Sequence, residues 1–279
     1  MKKVAITGSS GFLGDYLNEY LKAKGLTVIP YSRHLLPGMS QIRDYGQTPK
    51  ADFLIHLAEE ADREKVNKMG ETYLDNATDV LKVLSHRFGK NIIYASSGVV
   101  YGDENKEPCR VDMPVIANDA YSKLKLRNEQ IVLDSGGVVV RLSNIFGIGM
   151  TTGTVMSDII HQVPGSGPVR VHNDKPVRDF LPVSESTSAF GRIIESNYSG
   201  ILNVGSGIGT SINTLAKLML VNATQGNREI IATRPSSRSS KIVLDISETV
   251  KAIDWLPSPS LKDQLKKYIE ARRLINGKT

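Results

Sequence analysis

The chain has 279 residues, 40% of them hydrophobic and 23% charged, with 24 glycines and 12 prolines; this excludes a disordered or repetitive polymer and leaves room for one large α/β domain with a smaller appendage or for two modest domains. Thirty-five Lys and Arg against 29 Asp and Glu give a formal charge of +6, which suits anionic ligands such as nucleotides, but the basic residues are scattered without any RNA-binding or zinc-finger signature, so no nucleic-acid partner is expected. The single cysteine, Cys109, excludes an internal disulfide and a cysteine zinc site; with no cleavage site and no apolar run of membrane-spanning length, a cytoplasmic protein with no membrane partner and no bound metal is expected.

In chain order, Lys3–Thr7 reads as a buried strand and residues 8–14 as a glycine-punctuated turn. A helix follows to about residue 24, with Leu13, Tyr16, Leu17, Tyr20 and Leu21 on one face. Further strands are predicted at 27–31, 52–57, 91–96 and 138–142, with helices at 71–88 and 120–133 between the later ones. Strands alternating with helices predict an α/β Rossmann fold, a doubly wound parallel sheet. After Phe146 the alternation breaks into Gly- and Pro-bearing stretches such as residues 164–168, which predicts a smaller, partly discontinuous C-terminal substrate lobe. Residues 1–147 are therefore assigned to dinucleotide binding and 148–279 mainly to substrate. Residues 183–204 are expected to return to the first domain, because 183–196 reads as a helix and 200–204 as a buried strand.

The turn Thr7-Gly8-Ser9-Ser10-Gly11-Phe12-Leu13-Gly14 places glycines three apart between the first strand and the first helix. At such a junction glycines allow a tight turn and close approach to a pyrophosphate, while the helix N-terminus supplies free N–H groups and a positive dipole end. Gly8, Ser10, Gly11, Phe12, Leu13 and Gly14 are thus candidate cofactor contacts. No Asp or Glu ends the second strand to hold a ribose 2′-hydroxyl; Ser32 and Arg33 stand there, and a guanidinium beside a hydroxyl suits a 2′-phosphate. NADP is preferred over NAD, although Arg33 as a solvated surface charge stays open. Asp44 is a candidate for the adenine amino group.

Tyr121 and Lys125 stand four apart, one turn of helix on one face. An ammonium so placed favours a tyrosine phenolate and suits it to proton transfer at neutral pH, yet such pairs also occur on ordinary helix surfaces. Ser96 and Ser97 end the fourth strand, at the carboxyl edge where open α/β sheets bind ligands. Ser97 is positioned to donate to a substrate oxygen, and Ser96 to satisfy the strand end.

These residues together resemble the extended short-chain dehydrogenase/reductase superfamily, specifically its nucleotide-sugar epimerase/dehydratase branch, over nearly the whole chain. The resemblance extends to His56-Leu57-Ala58 beside the cofactor, Asn76 on a helix near the active site, Asn144 at a sugar-nucleotide position, and Arg178-Asp179-Phe180, Asn203-Val204-Gly205-Ser206-Gly207 and Trp255-Leu256-Pro257 towards the C-terminus. It implies that Tyr121 is the acid/base, that Lys125 holds the nicotinamide ribose and tunes Tyr121, and that Ser97 steadies the reacting oxygen. Leu57, Ala58 and Asn76 then join the cofactor set, and Asn144 the substrate set. Arg178 and Arg234 are candidate diphosphate contacts or, equally, members of surface ion pairs; His172 is a weaker substrate candidate.

The dehydratases of this branch carry an Asp-Glu pair after the serine or threonine, where this chain has Gly98-Val99, so dehydration is disfavoured. Ser32 and Arg33 then favour reduction of a 4-keto-6-deoxy sugar nucleotide by NADPH, with an NAD-dependent nucleotide-sugar 4-epimerase as the alternative. A non-catalytic NADP-binding regulator is the alternative of another class. Glu59-Glu60 is a departure from the small residues that relatives carry. The resemblance also implies a homodimer through the 71–88 and 120–133 helices.

Overall fold

A computed structural model describes residues 1–48, 50–258 and 260–276. The elements are, in order, β1 Lys3–Thr7, α1 Phe12–Ala23, β2 Thr27–Ser32, β3 Ser40–Gln41, β4 Phe53–His56, α2 Arg63–Met69, α3 Glu71–Phe88, β5 Ile92–Ser97, α4 Ala120–Asp134 and β6 Val138–Leu142. There follow β7 Asn144–Phe146, α5 Val155–Gln162, β8 Val169–Val171, β9 Val177–Pro182, α6 Val183–Glu195, β10 Gly200–Val204, β11 Gly209–Ser211, α7 Ile212–Asn222, β12 Ile230–Ala232, β13 Lys241–Ile242, α8 Ser247–Ile253 and α9 Leu261–Asn276.

Seven strands form one sheet in the order β10-β6-β5-β4-β1-β2-β3, and every pairing within it is parallel. Parallel strands need crossover helices, which cover both faces, and so their interiors read as unbroken apolar runs. Val4, Ala5 and Ile6 of β1 and Val139 and Val140 of β6 are accordingly fully buried. On one face Leu17 and Leu21 of α1 and Phe190 and Ile194 of α6 pack against the sheet. On the other face Leu81 and Leu84 of α3 and Val132 of α4 do the same. The chain reverses its direction of winding between β1 and β4, which makes a crevice at the carboxyl ends of those strands.

The remaining elements build a second core in which Met156, Ile159 and Ile160 of α5 meet Leu215 and Met219 of α7 and Leu265 and Ile269 of α9. This lobe is stitched to the first layer by β9, which pairs with β7, β11 and β13. Strand β10 joins the large sheet beside β6, with Gly200 opposite Val138. The C-terminal part is therefore interleaved with the sheet, and residues 277–279 of the predicted lobe lie outside the described residues. No described helix is long and apolar enough to cross a membrane.

Candidate active site

A cavity of about 540 Å³ opens over the β1–β4 switch point, within the ordinary range for small-ligand sites. Its floor on the β1 side is the glycine turn. Gly8 has φ +76°, and a Cβ there would lie 2.8 Å from the Leu57 carbonyl carbon; at Gly14 a Cβ would lie 2.3 Å from the Gly8 carbonyl oxygen. Both positions exclude any side chain, because backbone atoms on each side cannot rotate away. Gly11 is the N-cap of α1 and gives no side-chain cap to the first turn, so these amides stay available to an anion. Gly8, Gly11, Phe12, Leu13 and Gly14 line the cavity. Ser10 is exposed and Ala58 half-buried beside the turn.

Ser97, Tyr121 and Lys125 line the same cavity. Successive residues of a strand face opposite ways, and β5 uses this at its end. Ser96 spends its hydroxyl on the buried Glu129, whereas the Ser97 hydroxyl accepts from the Val99 amide at 3.3 Å. Tyr121 is set by the start of α4, where Asp119 and Ser122 form a reciprocal cap. Asp119 also accepts from Arg63 and Asn67 of α2, and Asn67 in turn accepts from the Tyr121 amide at 3.0 Å. Burial pushes the Asp119 carboxyl up, but the donated bonds from Ser122, Asn67 and Arg63 outweigh it and bring it down to about 2.

The Lys125 ammonium makes a 2.7 Å ion pair with Glu59, with side chains 8% and 4% exposed. It also donates to the Ala95 carbonyl at 2.9 Å and lies 5.7 Å from the Tyr121 ring centre. Glu59 accepts further bonds from the Tyr94 hydroxyl at 2.8 Å and from Asn128 at 2.7 Å. Burial alone would raise the Glu59 carboxyl and lower the Lys125 ammonium; their mutual attraction reverses both, so Glu59 lies below and Lys125 above its ordinary value. Beside them His56, bonded to Thr7 at 2.8 Å and stacked on Tyr94, is pushed down to about 4 by burial, opposed by Glu59.

Of the predicted contacts beyond the turn and the catalytic three, Leu57 and Asn144 line the cavity and the others do not. Asn76 is exposed on α3 and is not among the residues that line the cavity. Leu74, Thr78 and Leu81 form the buried stripe of α3, and a residue two beyond Leu74 lies about 200° round the helix. From α3 it is Tyr73 that reaches towards the site, its hydroxyl accepting from the Glu60 amide at 2.7 Å. Ser32 is buried, its hydroxyl accepting from the His34 amide, and Arg33 is exposed beyond it. The Asp44 carboxylate accepts from the Gly46 amide at 2.8 Å, so one oxygen is committed to its own turn. Asn144 lines the cavity and donates to the Asp179 carbonyl. The Arg178 guanidinium is spent on Ser240 and the Val177 carbonyl, and the exposed Arg234 meets the His172 carbonyl through its backbone amide. Neither arginine is among the residues that line the cavity.

A parallel sheet in this order, with a glycine turn at its switch point and Ser, Tyr and Lys in the adjoining cavity, defines a Rossmann enzyme of the extended short-chain dehydrogenase/reductase type. The chain belongs to the NAD dependent epimerase/dehydratase family, which it matches over residues 4–205. It is 27% identical to UDP-glucuronic acid decarboxylase 2 of Arabidopsis thaliana over 94% of the chain and 66% of that protein, so it spans about two thirds of that relative's length. It is 26% identical to GDP-6-deoxy-D-mannose reductase of Pseudomonas aeruginosa over 95% of both chains. Among solved structures, a UDP-glucose 4-epimerase of Thermotoga maritima with UDP-glucose superposes with a TM-score of 0.87 at 21% identity, covering 98% of this chain and 99% of that one. The Pseudomonas aeruginosa protein RMD complexed with NADPH superposes at 0.84 and 23% identity, covering 98% and 100%.

Proposed function

We propose that the protein reduces a 4-keto-6-deoxy sugar nucleotide with NADPH. The observation that carries this reading is the gathering of Ser97, Tyr121 and Lys125 into one cavity with the glycine turn. Ser32 and Arg33 at the end of β2, where a carboxylate would repel a 2′-phosphate, support NADPH, and the similarity to GDP-6-deoxy-D-mannose reductase along the full length supports the substrate class. The cavity fits a dinucleotide because its turn excludes side chains and presents uncapped amides to a pyrophosphate.

When bound, the cofactor supplies a hydride to the substrate's carbonyl carbon. Tyr121 passes its hydroxyl proton to the oxygen on which charge develops, and Ser97 donates a hydrogen bond to the same oxygen. Lys125, anchored in α4, orients the nicotinamide ribose and assists Tyr121. Residues 1–147 with 183–204 form the cofactor part, and the remainder, with Asn144 at its edge, holds the sugar nucleotide.

The experiment is to mix the protein with NADPH and a panel of 4-keto-6-deoxy sugar nucleotides, follow cofactor oxidation and identify the sugar by NMR. Oxidation that depends on substrate, gives a 4-hydroxyl product and is lost in Tyr121→Phe is the expected result. If NADPH is not consumed, and the protein carries NAD and interconverts 4-hydroxy sugar nucleotides, the 4-epimerase reading replaces this one.

A further inference from the structure

Two acidic residues, Glu59 and Glu60, and one cation, Lys125, line the catalytic cavity. Glu59 lies three residues beyond the end of β4, and its carboxylate is the best-satisfied acid in the cavity. It accepts from Lys125, Tyr94 and Asn128, all within 2.8 Å. A carboxylate with three short donors is not free to take a proton from substrate or to hold a sugar hydroxyl, so its contribution is through charge and through the lysine it holds. Lys125 has three N–H bonds to give. One goes to Glu59 and one to the Ala95 carbonyl, which leaves one for a ligand hydroxyl. The pair is therefore compatible with a ribose contact while fixing where that last donor points.

The electrostatic consequence concerns the nicotinamide ring, which is a cation when oxidised and neutral when reduced. With the ring bound in this cavity, an unpaired buried ammonium would disfavour the oxidised form; a carboxylate 2.7 Å from that ammonium removes the penalty. The other titratable groups facing the pair are His56 from β4, Tyr94 from β5, Tyr73 from α3 and Tyr121 from α4, and His56 is held neutral by its burial. Glu59 thus supplies the negative charge in direct contact with Lys125.

We propose that Glu59 is a positioning residue that orients Lys125 and cancels its charge inside the cofactor cavity, so that the site holds oxidised nicotinamide dinucleotide more tightly relative to the reduced form. Tighter binding of the oxidised form makes the bound reduced cofactor a stronger hydride donor, which is the direction a reductase needs. The proposal rests on the nicotinamide reading of the cavity but not on the identity of the sugar.

The test measures dissociation constants by calorimetry for NADP⁺ and NADPH, and in parallel for NAD⁺ and NADH, at pH 6.5 without sugar, on the wild type and on Glu59→Gln. The ratio of the oxidised to the reduced constant is expected to rise about tenfold in the variant, equivalent to about 30 mV in the two-electron potential of the bound cofactor. A residue with only a structural role would weaken both forms together and leave the ratio alone. A ratio within threefold of wild type, or one that falls, overturns the proposal while the cofactor reading stands. A wild type that binds neither pair overturns the cofactor reading and the proposal with it. Should the Gln variant not fold, Glu59→Ala carries the same test, since loss of the carboxylate charge sets the ratio in both.

Discussion

The sharpest demand on the structure comes from two of the three glycines in the phosphate turn, which are equivalent in the sequence pattern and inequivalent in space. A Cβ at Gly14 would lie 2.3 Å from the Gly8 carbonyl oxygen and 2.7 Å from the Ser9 Cα. Ordinary contact begins at about 3.4 Å, so either the turn or the first turn of α1 must move by roughly 1 Å, and no rotamer can absorb the shift. Against this, alanine in a helix gains about 1 kcal/mol over glycine. Overpacking of backbone on backbone costs about 3 kcal/mol, so Gly14→Ala is expected to lose about 2 kcal/mol net, a fall of roughly 4–8 °C in Tm for a domain of this size. At Gly11 the nearest atom to a Cβ is the Gly8 oxygen at 3.3 Å, and the backbone there, φ −84° and ψ 168°, suits any residue. Gly11→Ala should therefore melt within about 1 kcal/mol of wild type, yet weaken dinucleotide binding about tenfold or more, because its methyl covers the uncapped amides. Thermal melts and cofactor titrations on both variants decide the matter. Equal melting losses, or a Gly14→Ala protein as stable as wild type, would refute the reasoning.

Arg33→Ala should weaken NADPH about tenfold and NADH little, as expected for loss of a charge-assisted phosphate contact; equal losses would remove the 2′-phosphate role. The Arg141–Glu129 pair, 2.7 Å apart with both side chains 4% exposed, should cost about 3–5 kcal/mol on Glu129→Gln, and Glu129→Gln with Arg141→Met should cost less than the sum, as read in urea unfolding. His56 is held neutral in the fold, its value lowered from 6.5 to about 4. Between those limits the unfolded chain takes up a proton that the folded one does not, so the stability it contributes is full above pH 6.5 and is lost as pH falls to about 4, by up to about 3 kcal/mol. Urea titrations at pH 7, 5.5 and 4.5 should show that loss in wild type and a shallower one in His56→Gln; parallel slopes would contradict it.

What could be read from the sequence was what short-range rules determine. The Val-Val-Val of β6 and the Ile-Ile-Tyr-Ala of β5 announce strands buried on both faces, and the glycine turn fixes where the first helix starts. Elements whose reason lies elsewhere in the chain were not legible. Helix α2 buries only Val66; it is held by its Asp62 cap and by the bonds of Arg63 and Asn67 to Asp119, more than fifty residues on. Strands β3 and β13 have two residues each and exist because a partner strand pairs with them. Family resemblance puts Asn76 on a helix, but its exposure follows from which of its neighbours, here Leu74 and Leu81, reach the core.

The site shows the same division more consequentially. Ser97, Tyr121 and Lys125 announce themselves by type and spacing, whereas the Lys125 partner is 66 positions away in sequence and meets it only when β4 pairs with β5 and α4 packs on β5. Net charge misleads in the same way. The chain is +6 overall, yet its cavity is lined by two glutamates and a lysine, and Arg178, which the chain's charge would recruit for a diphosphate, is spent on Ser240 and a backbone carbonyl. The attraction for a dinucleotide pyrophosphate must then come chiefly from the uncapped amides at the start of α1 and from the space that Gly8 and Gly14 keep open for them. Oriented backbone dipoles do this work at fixed geometry and without a mobile cation, so a glycine turn can bind an anion in a cavity whose side chains carry a negative balance.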